Sequence, residues 1–157
     1  MMMFPLFASL LVSTLPLLAQ VESVSMRTTG ISCGVCAMVS EINFKRMEGV
    51  EKVTISLAKE SILLTYKPGA AFSPQAIRQV LQPLEVGVVL FRITARGHLQ
   101  EQGGKRYFIA GKDRFVVAGD GKSVSIATDT PVLIEGRLND LADPMEVKIL
   151  DWKPLKP

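Results

Sequence analysis

The residues in this sequence that are best suited to chemistry are its two cysteines, Cys33 and Cys36. A flexible stretch ending at Gly30 precedes them and a helical pattern follows, so both thiols are expected at a helix start. Backbone N–H groups at that end carry partial positive charge, which favours the thiolate form. Because only two residues separate the cysteines, both sulfur atoms can point at one small object. The pair therefore indicates either a metal site or a reactive thiol pair.

The number of ligands limits which metal the pair could hold. Two thiolates suit a soft ion that accepts low coordination, such as Cu(I) or Hg(II), whereas structural zinc normally takes four ligands. The only histidine, His98, lies far along the sequence in a segment of linker composition, where we expect it to be solvated. The sequence therefore predicts no closed zinc site within one chain.

Two other interpretations of the cysteine pair stay open. In an oxidising compartment an exposed thiol pair forms a disulfide unless it is kept reduced, although so short a loop gains little stability from the bond. A redox-active pair would use the same electrostatics of the helix start. Thioredoxin-like proteins, however, place this motif after a strand in a fold with a different order of elements. We therefore favour metal binding and keep thiol–disulfide redox chemistry as the alternative.

The residue pattern on both sides of the cysteines predicts the elements that position them. Residues 24–27 alternate as a half-buried strand does. Val35, Val39 and Ile42, with Met38 beside them, fall on one face of a helix, and we expect this face to hold the helix on the sheet. The other predicted elements are strands at 53–57 and 62–66, a helix capped by Ser73 with Pro74 at its first position, and a strand from 88 to 93.

The order strand, helix, strand, strand, helix, strand is that of the split βαβ arrangement, an antiparallel sheet with both helices on one face. The expected fold class is therefore α+β, with a ferredoxin-like first domain at residues 22–95. Met26, Met38 and Met47 have the spacing of core-filling residues rather than of thioether ligands for copper.

The cysteine loop also resembles the heavy-metal-associated domain family, whose pattern is a Gly, an apolar residue, a variable residue and then Cys-x-x-Cys. The resemblance covers about residues 23 to 93. It departs from the family at Ile31, where Met is usual, and in the turn at 85–88, which lacks the Tyr, Phe or Lys often found near the metal. The matching residues are Gly30-Ile31-Ser32-Cys33-Gly34-Val35-Cys36, then Val39 and Gly49-Val50.

This resemblance implies a ferredoxin-like fold, with Cys33 and Cys36 as the metal ligands. Domains of this family occur in copper chaperones, periplasmic mercuric-ion-binding proteins and the cytosolic arms of metal-transporting ATPases. By analogy the ion would pass to a partner through shared thiolate intermediates. The partner would be a metal-transport membrane protein or another thiol-bearing carrier.

A second, all-β domain is predicted after the first. Residues 96–105 contain three glycines and have the composition of a linker. Evenly spaced short apolar runs then suggest a small β-barrel, OB-like in type, over residues 106–157. We expect Tyr107 and Trp152 to pack in this barrel rather than to form a base-stacking platform. The predicted strands lie at 107–109, 115–117, 124–126, 132–138 and 147–152.

The first residues of the sequence predict export. Residues 1–21 carry no charged side chain, and an apolar run ends near Ala19, which is typical of a secretory signal peptide spanning residues 1–19. No Lys or Arg precedes the run, and its length could just span a bilayer, so an uncleaved anchor is the alternative. The mature protein is expected to be soluble and periplasmic or secreted.

Composition and motifs argue against several other functions. The net charge is +3, but Lys and Arg are scattered among Asp and Glu, which disfavours a nucleic-acid partner. The sequence offers no Ser-His-Asp set and no Gly-rich phosphate loop, so no enzyme is predicted. The sequence therefore predicts an exported protein that carries or sequesters Cu(I) or Hg(II).

Overall fold

The computed structural model describes residues 19–119 and 122–156. Apart from Ala19, the predicted signal peptide lies outside these residues. None of the described helices is long and apolar enough to cross a membrane.

The first domain has the order of elements and the sheet topology that the sequence predicted. Its strands are hydrogen-bonded in the order β2-β3-β1-β4, and all of these pairs are antiparallel. This confirms the ferredoxin-like fold. Its elements are β1 (Gln20–Thr29), α1 (Gly34–Arg46), β2 (Val50–Ser56), β3 (Ser61–Tyr66), α2 (Pro74–Leu81) and β4 (Gly87–Gln102).

Helix α2 forms where its local sequence signals placed it. The Ser73 side chain accepts a hydrogen bond from the Ala76 N–H at 3.1 Å, and Pro74 occupies the first turn. Such a cap satisfies a donor that the helix itself leaves unpaired. Ile77 and Leu81 are fully buried, so one apolar face of α2 holds it on the sheet.

Helix α1 buries the face opposite to the one we predicted. Phe44 and Ser40 are fully buried, whereas Val35 and Met38 are 65% and 55% exposed and Ile42 is 43% exposed. The helix carries two apolar stripes, and the one holding the bulky Phe44 packs on the sheet. The core-filling role expected of Met38 is therefore wrong. Met26 is fully buried and Met47 is partly buried against the core, as expected.

The linker predicted at residues 96–105 is a continuation of β4. This strand runs to Gln102 and turns through Gly103 and Gly104 into the next strand. The prediction failed because Gly97, interpreted as a flexible residue, has a packing role: a side chain there would collide with the carbonyl group of Ile109. His98 accordingly lies within β4 and pairs with Ile109.

The strands of the second domain close into a ring with the end of β4. The pairings run β4 to β5, β5 to β6, β6 to β8, β8 to β7 and β7 back to β4, and only β6 and β8 are parallel. Residues 122–125 form a short 3-10 turn where a strand at 124–126 was predicted. The strands are β5 (Lys105–Ala110), β6 (Asp113–Val117), β7 (Val132–Asn139) and β8 (Glu146–Pro154).

Tyr107 and Trp152 were both expected to pack in the predicted barrel. Trp152 does so in part, and Tyr107 does not. Trp152 is partly buried against the core, and its Nε1–H donates to Ser125 Oγ at 3.2 Å. Tyr107 lies outside the core cluster, with the guanidinium of Arg114 3.8 Å from its ring centre. The Tyr107 ring therefore forms a cation–π contact.

The strands after β4 share this strand and one hydrophobic core with the elements before them. Residues 91–96 of β4 pair with β1 on one edge and with β7 on the other. Arg78 of α2 donates to both oxygens of Asp140, at 2.7 and 3.0 Å, and lies over the Phe91 ring. The Phe72 N–H donates to Asp113 at 3.1 Å. Strands β5 to β8 are therefore fixed directly to the elements of the ferredoxin-like fold.

Candidate metal centre

The loop that presents the cysteines is held at its start by two residues. Gly30 has a φ of 86°, and a side chain there would lie 2.9 Å from the carbonyl oxygen of Glu85. Glycine meets both demands because it lacks a Cβ atom. Ile31, the residue that replaces the usual Met, is fully buried. The loop is thus anchored in the core just before the cysteines.

Cys33 and Cys36 lie together at the start of α1. Cys33 is the N-cap residue, and its Sγ accepts a hydrogen bond from the Cys36 N–H at 3.0 Å. Their Cα atoms are 5.3 Å apart, and the two sulfur atoms are joined as a disulfide. Cys33 is exposed and Cys36 is half-buried. The backbone therefore brings both sulfurs to one point on the surface.

The position of the pair favours negative charge on sulfur once the disulfide is reduced. The Cys36 N–H already points at Cys33 Sγ, and the helix start adds partial positive charge. The first turn of α1 contains no acidic residue that would oppose ionisation. A reduced pair in this place can act as two thiolate ligands or as a nucleophile.

No further ligand joins the cysteines within residues 19–119 and 122–156, where no group of three or more His, Cys, Asp or Glu side chains could hold a metal. His98 is remote: β4 pairs with the end of β1 through Gly87 and with its beginning through Arg96. His98 therefore lies past the first residue of β1, whereas the cysteine loop follows the last residue of that strand.

The turn before β4, at residues 85–88, packs against the start of the cysteine loop. Val86 is buried, and Gly87 pairs with Thr29 at the end of β1. In place of the aromatic or Lys side chain often found here in the resembling family, this turn offers a small apolar residue.

An apolar surface beside the cysteines was missed by the sequence reasoning. Val35, Met38 and Ile42, which we call the α1 stripe, lie on one side of α1 and are exposed. Their spacing in the sequence predicts a buried helix face, and the structure exposes it instead. Because Val35 stands between the two cysteines in the chain, the stripe begins at the site itself.

Comparison with known proteins found similar solved structures but no matching family model. No family model and no curated protein matches the chain. The matching solved structures include the yeast copper transporter domain Ccc2a, studied in its apo and Cu(I)-loaded states, at 18% identity. They also include a copper form of a CopA variant from Bacillus subtilis, at 30% identity.

These matches extend over less than half of this chain. The yeast domain aligns with 43% of this chain and 94% of its own, with a TM-score of 0.38. The Bacillus subtilis domain aligns with 46% of this chain and 93% of its own, with a TM-score of 0.39. The strand order and the cysteine pair between β1 and α1 carry the assignment. The amino-terminal domain resembles the heavy-metal-associated family. In this heavy-metal-associated-like domain, the cysteine loop lies where the sequence placed it.

Proposed function

We propose that the reduced protein binds one Cu(I) ion through Cys33 and Cys36 and passes it on by thiolate exchange. The observation that carries this proposal is the convergence of both sulfurs at the start of α1, with a backbone N–H already directed at Cys33 Sγ. Two thiolates with no third donor suit Cu(I), and Hg(II) is the second candidate ion. The protein is proposed to be a binding protein rather than an enzyme.

The α1 stripe supports the proposal of a protein partner. Exchange by shared thiolates requires the partner's sulfur atoms to reach Cys33 and Cys36, so the partner must lie against the first turns of α1. Val35 and Met38, 65% and 55% exposed, would then be covered by it. Exposed apolar side chains grouped on a surface mark interaction sites. A metal-transport membrane protein or another thiol-bearing carrier fits this role.

We also propose that the protein is exported and cleaved after Ala19, and that it works in the periplasm or outside the cell. The uncharged segment at residues 1–21, with its apolar run from Leu6 to Leu18, supports export. Cleavage at this point would leave Gln20, the first residue of β1, as the new amino terminus. The mature chain would then begin with the sheet itself.

The second domain is proposed to be a barrel of the OB type. Five strands paired in a ring, with the third and fifth parallel, support this assignment. The fold alone assigns no ligand to it.

The alternative function is thiol–disulfide exchange. It is favoured by the disulfide between Cys33 and Cys36 and by the exposure of Cys33. A redox protein oxidises or reduces substrates repeatedly, whereas a metal carrier holds a soft ion and releases it by ligand exchange.

The deciding experiment measures metal affinity and redox turnover on one preparation of reduced, signal-free protein. Competition with a chromophoric Cu(I) chelator should give one ion per chain, and Cys33→Ser and Cys36→Ser should each lower the affinity at least about a hundredfold, because one of two thiolate ligands is lost. The exposed Ser32 provides the matched control, since Ser32→Ala keeps both sulfurs.

The two functions give opposite results in this experiment. Tight Cu(I) binding with slow, substoichiometric reduction of insulin supports the carrier. Rapid insulin turnover with negligible Cu(I) affinity assigns the pair to redox chemistry. Full affinity in both cysteine variants would show that the metal binds elsewhere.

A further inference from the structure

A hydroxyl group in helix α1 is buried without a hydrogen-bond partner. Ser40 is fully buried, and its Oγ has no partner among the residues that the structure describes. A serine inside a helix can donate to the carbonyl group four residues earlier, but no such bond forms here. An unpaired buried hydroxyl destabilises a fold, whereas an alanine methyl group in the same place would not. The polar side chain of Ser40 therefore calls for an explanation.

Ser40 lies one helical turn after Cys36, on the same face of α1. Residues four positions apart in a helix have their Cβ atoms about 5–6 Å apart. Helical side chains also lean towards the amino-terminal end of the helix, so the Ser40 side chain leans towards the turn that contains Cys36. Ser40 and Phe44 are fully buried, and Cys36 is half-buried. Cys36 is therefore the exposed end of a row whose next member is the unpaired hydroxyl.

The state of the disulfide determines what Ser40 can bond to. In the structure Cys36 Sγ is joined to Cys33 Sγ, and such a sulfur is only a weak acceptor. Reduction frees Cys36 Sγ to rotate about its Cα–Cβ bond, and a sulfur that carries negative charge accepts a stronger, charge-assisted hydrogen bond.

We propose that Ser40 donates a hydrogen bond to Cys36 Sγ in the reduced protein and so shifts the cysteine pair towards its reduced form. Ser40 is then a positioning residue for Cys36. The proposal rests on the proposed function and deepens it, because only the reduced pair can bind a metal ion. Its test, however, requires no metal.

The redox equilibrium of the signal-free protein with glutathione tests this role. Two glutathione molecules supply two electrons and two protons, the bond between Cys33 and Cys36 breaks, and a bond between the two glutathione sulfurs forms. In Ser40→Ala the reduced form loses its hydrogen bond and the oxidised form loses the unpaired hydroxyl, so both effects favour the disulfide. The equilibrium should therefore shift towards the disulfide at least about tenfold, which corresponds to about 30 mV.

Two further variants are the controls. Ser32→Ala removes an exposed hydroxyl beside Cys33 and should leave the glutathione equilibrium unchanged. Ser40→Thr keeps the hydroxyl and should stay close to the wild-type equilibrium, because any misfit of its extra methyl group is present in both redox forms. A shift in Ser40→Thr as large as that in Ser40→Ala would mean that the hydroxyl is not the cause.

Urea denaturation of both redox forms gives a second readout. Compared with wild type, Ser40→Ala should be more stable when oxidised and less stable when reduced, whereas a serine that only fills space would give the same change in both forms. Equal changes in the two forms, or an unchanged glutathione equilibrium, overturn the proposal. Absence of Cu(I) binding in the chelator competition removes the metal carrier instead and leaves the Ser40 measurements valid, since they contain no metal.

Discussion

The ion pair between Arg78 and Asp140 ties α2 to the loop after β7, and its removal should destabilise the whole protein. Asp140 is only 10% exposed and accepts from Arg78 at 2.7 and 3.0 Å. Removing one partner of a fully buried pair costs about 3–5 kcal/mol, and an exposed pair is worth about 0.2–1 kcal/mol. Arg78 is 37% exposed, so the pair lies between these limits.

Arg78 also contacts an aromatic ring. Its guanidinium carbon lies 5.1 Å from the centre of the Phe91 ring, a contact worth about 0.5–1 kcal/mol in partly exposed sites. We therefore expect Arg78→Ala to lower the free energy of unfolding by about 2–4 kcal/mol. Urea denaturation should show a lower midpoint with an unchanged slope, because the surface exposed on unfolding stays the same.

The pair between Arg92 and Glu135 is the matched control. It joins β4 to β7 across the same junction, but its side chains are 48% and 45% exposed. Arg92→Ala should cost no more than about 1 kcal/mol. If Arg78→Ala is as mild as Arg92→Ala, the reasoning from burial and bidentate geometry is refuted. A double-mutant cycle of Arg78→Ala with Asp140→Ala would then measure the coupling free energy between the two side chains.

Two further predictions concern burial. Phe44→Ala should lower the unfolding free energy by about 3–5 kcal/mol, whereas Val35→Ser should change it by less than about 0.5 kcal/mol; the reverse order in urea denaturation would mean that α1 buries its other stripe. Burial raises the pKa of Asp113 in the folded protein. The protonated carboxyl group therefore contributes to the free energy of unfolding below the ordinary pKa of about 4, and this contribution is lost as the pH rises through the raised pKa. Asp113→Asn, which keeps an acceptor for the Phe72 N–H, should therefore gain stability over wild type as pH rises through that window, and parallel melting profiles would contradict this.

The predictable parts of the fold were those encoded by neighbouring residues. The cap at Ser73 and Pro74 lies within one helical turn, so the sequence alone was enough to place α2. The orientation of α1 required more, because its sequence contains two apolar stripes. Only the tertiary fit of Phe44 against the sheet, where it is fully buried, decides between them.

The second domain shows the same limit at Gly97. A glycine in a polar segment indicates flexibility, but here the carbonyl of Ile109 approaches its backbone closely. That contact joins two neighbouring strands, and the strand containing Ile109 begins only after the turn at Gly103 and Gly104. Local sequence therefore predicts a linker where the structure has the second half of β4.

The candidate site was more accessible to sequence reasoning than the surface around it. Cys33 and Cys36 lie one helical turn apart, so their convergence depends on local backbone geometry. The exposure of Val35 and Met38 depends on which face of α1 the sheet covers. Residue types therefore identified the sulfur pair, and only the fold identified the apolar stripe beside it.

The direction of β1, from Gln20 towards the cysteine loop, has a practical consequence for attaching this protein to a support. The strand begins at Gln20 and reaches the cysteine loop after ten residues, a distance of about 30 Å at the usual rise per residue. Pro154 of β8 pairs with Val132, which in turn pairs with Gly97 near the same distant end. An affinity tag or solid support attached before Gln20 or after Pro154 would leave the cysteine loop facing solution. Immobilised protein would thus keep Cys33 and Cys36 accessible to reagents in solution.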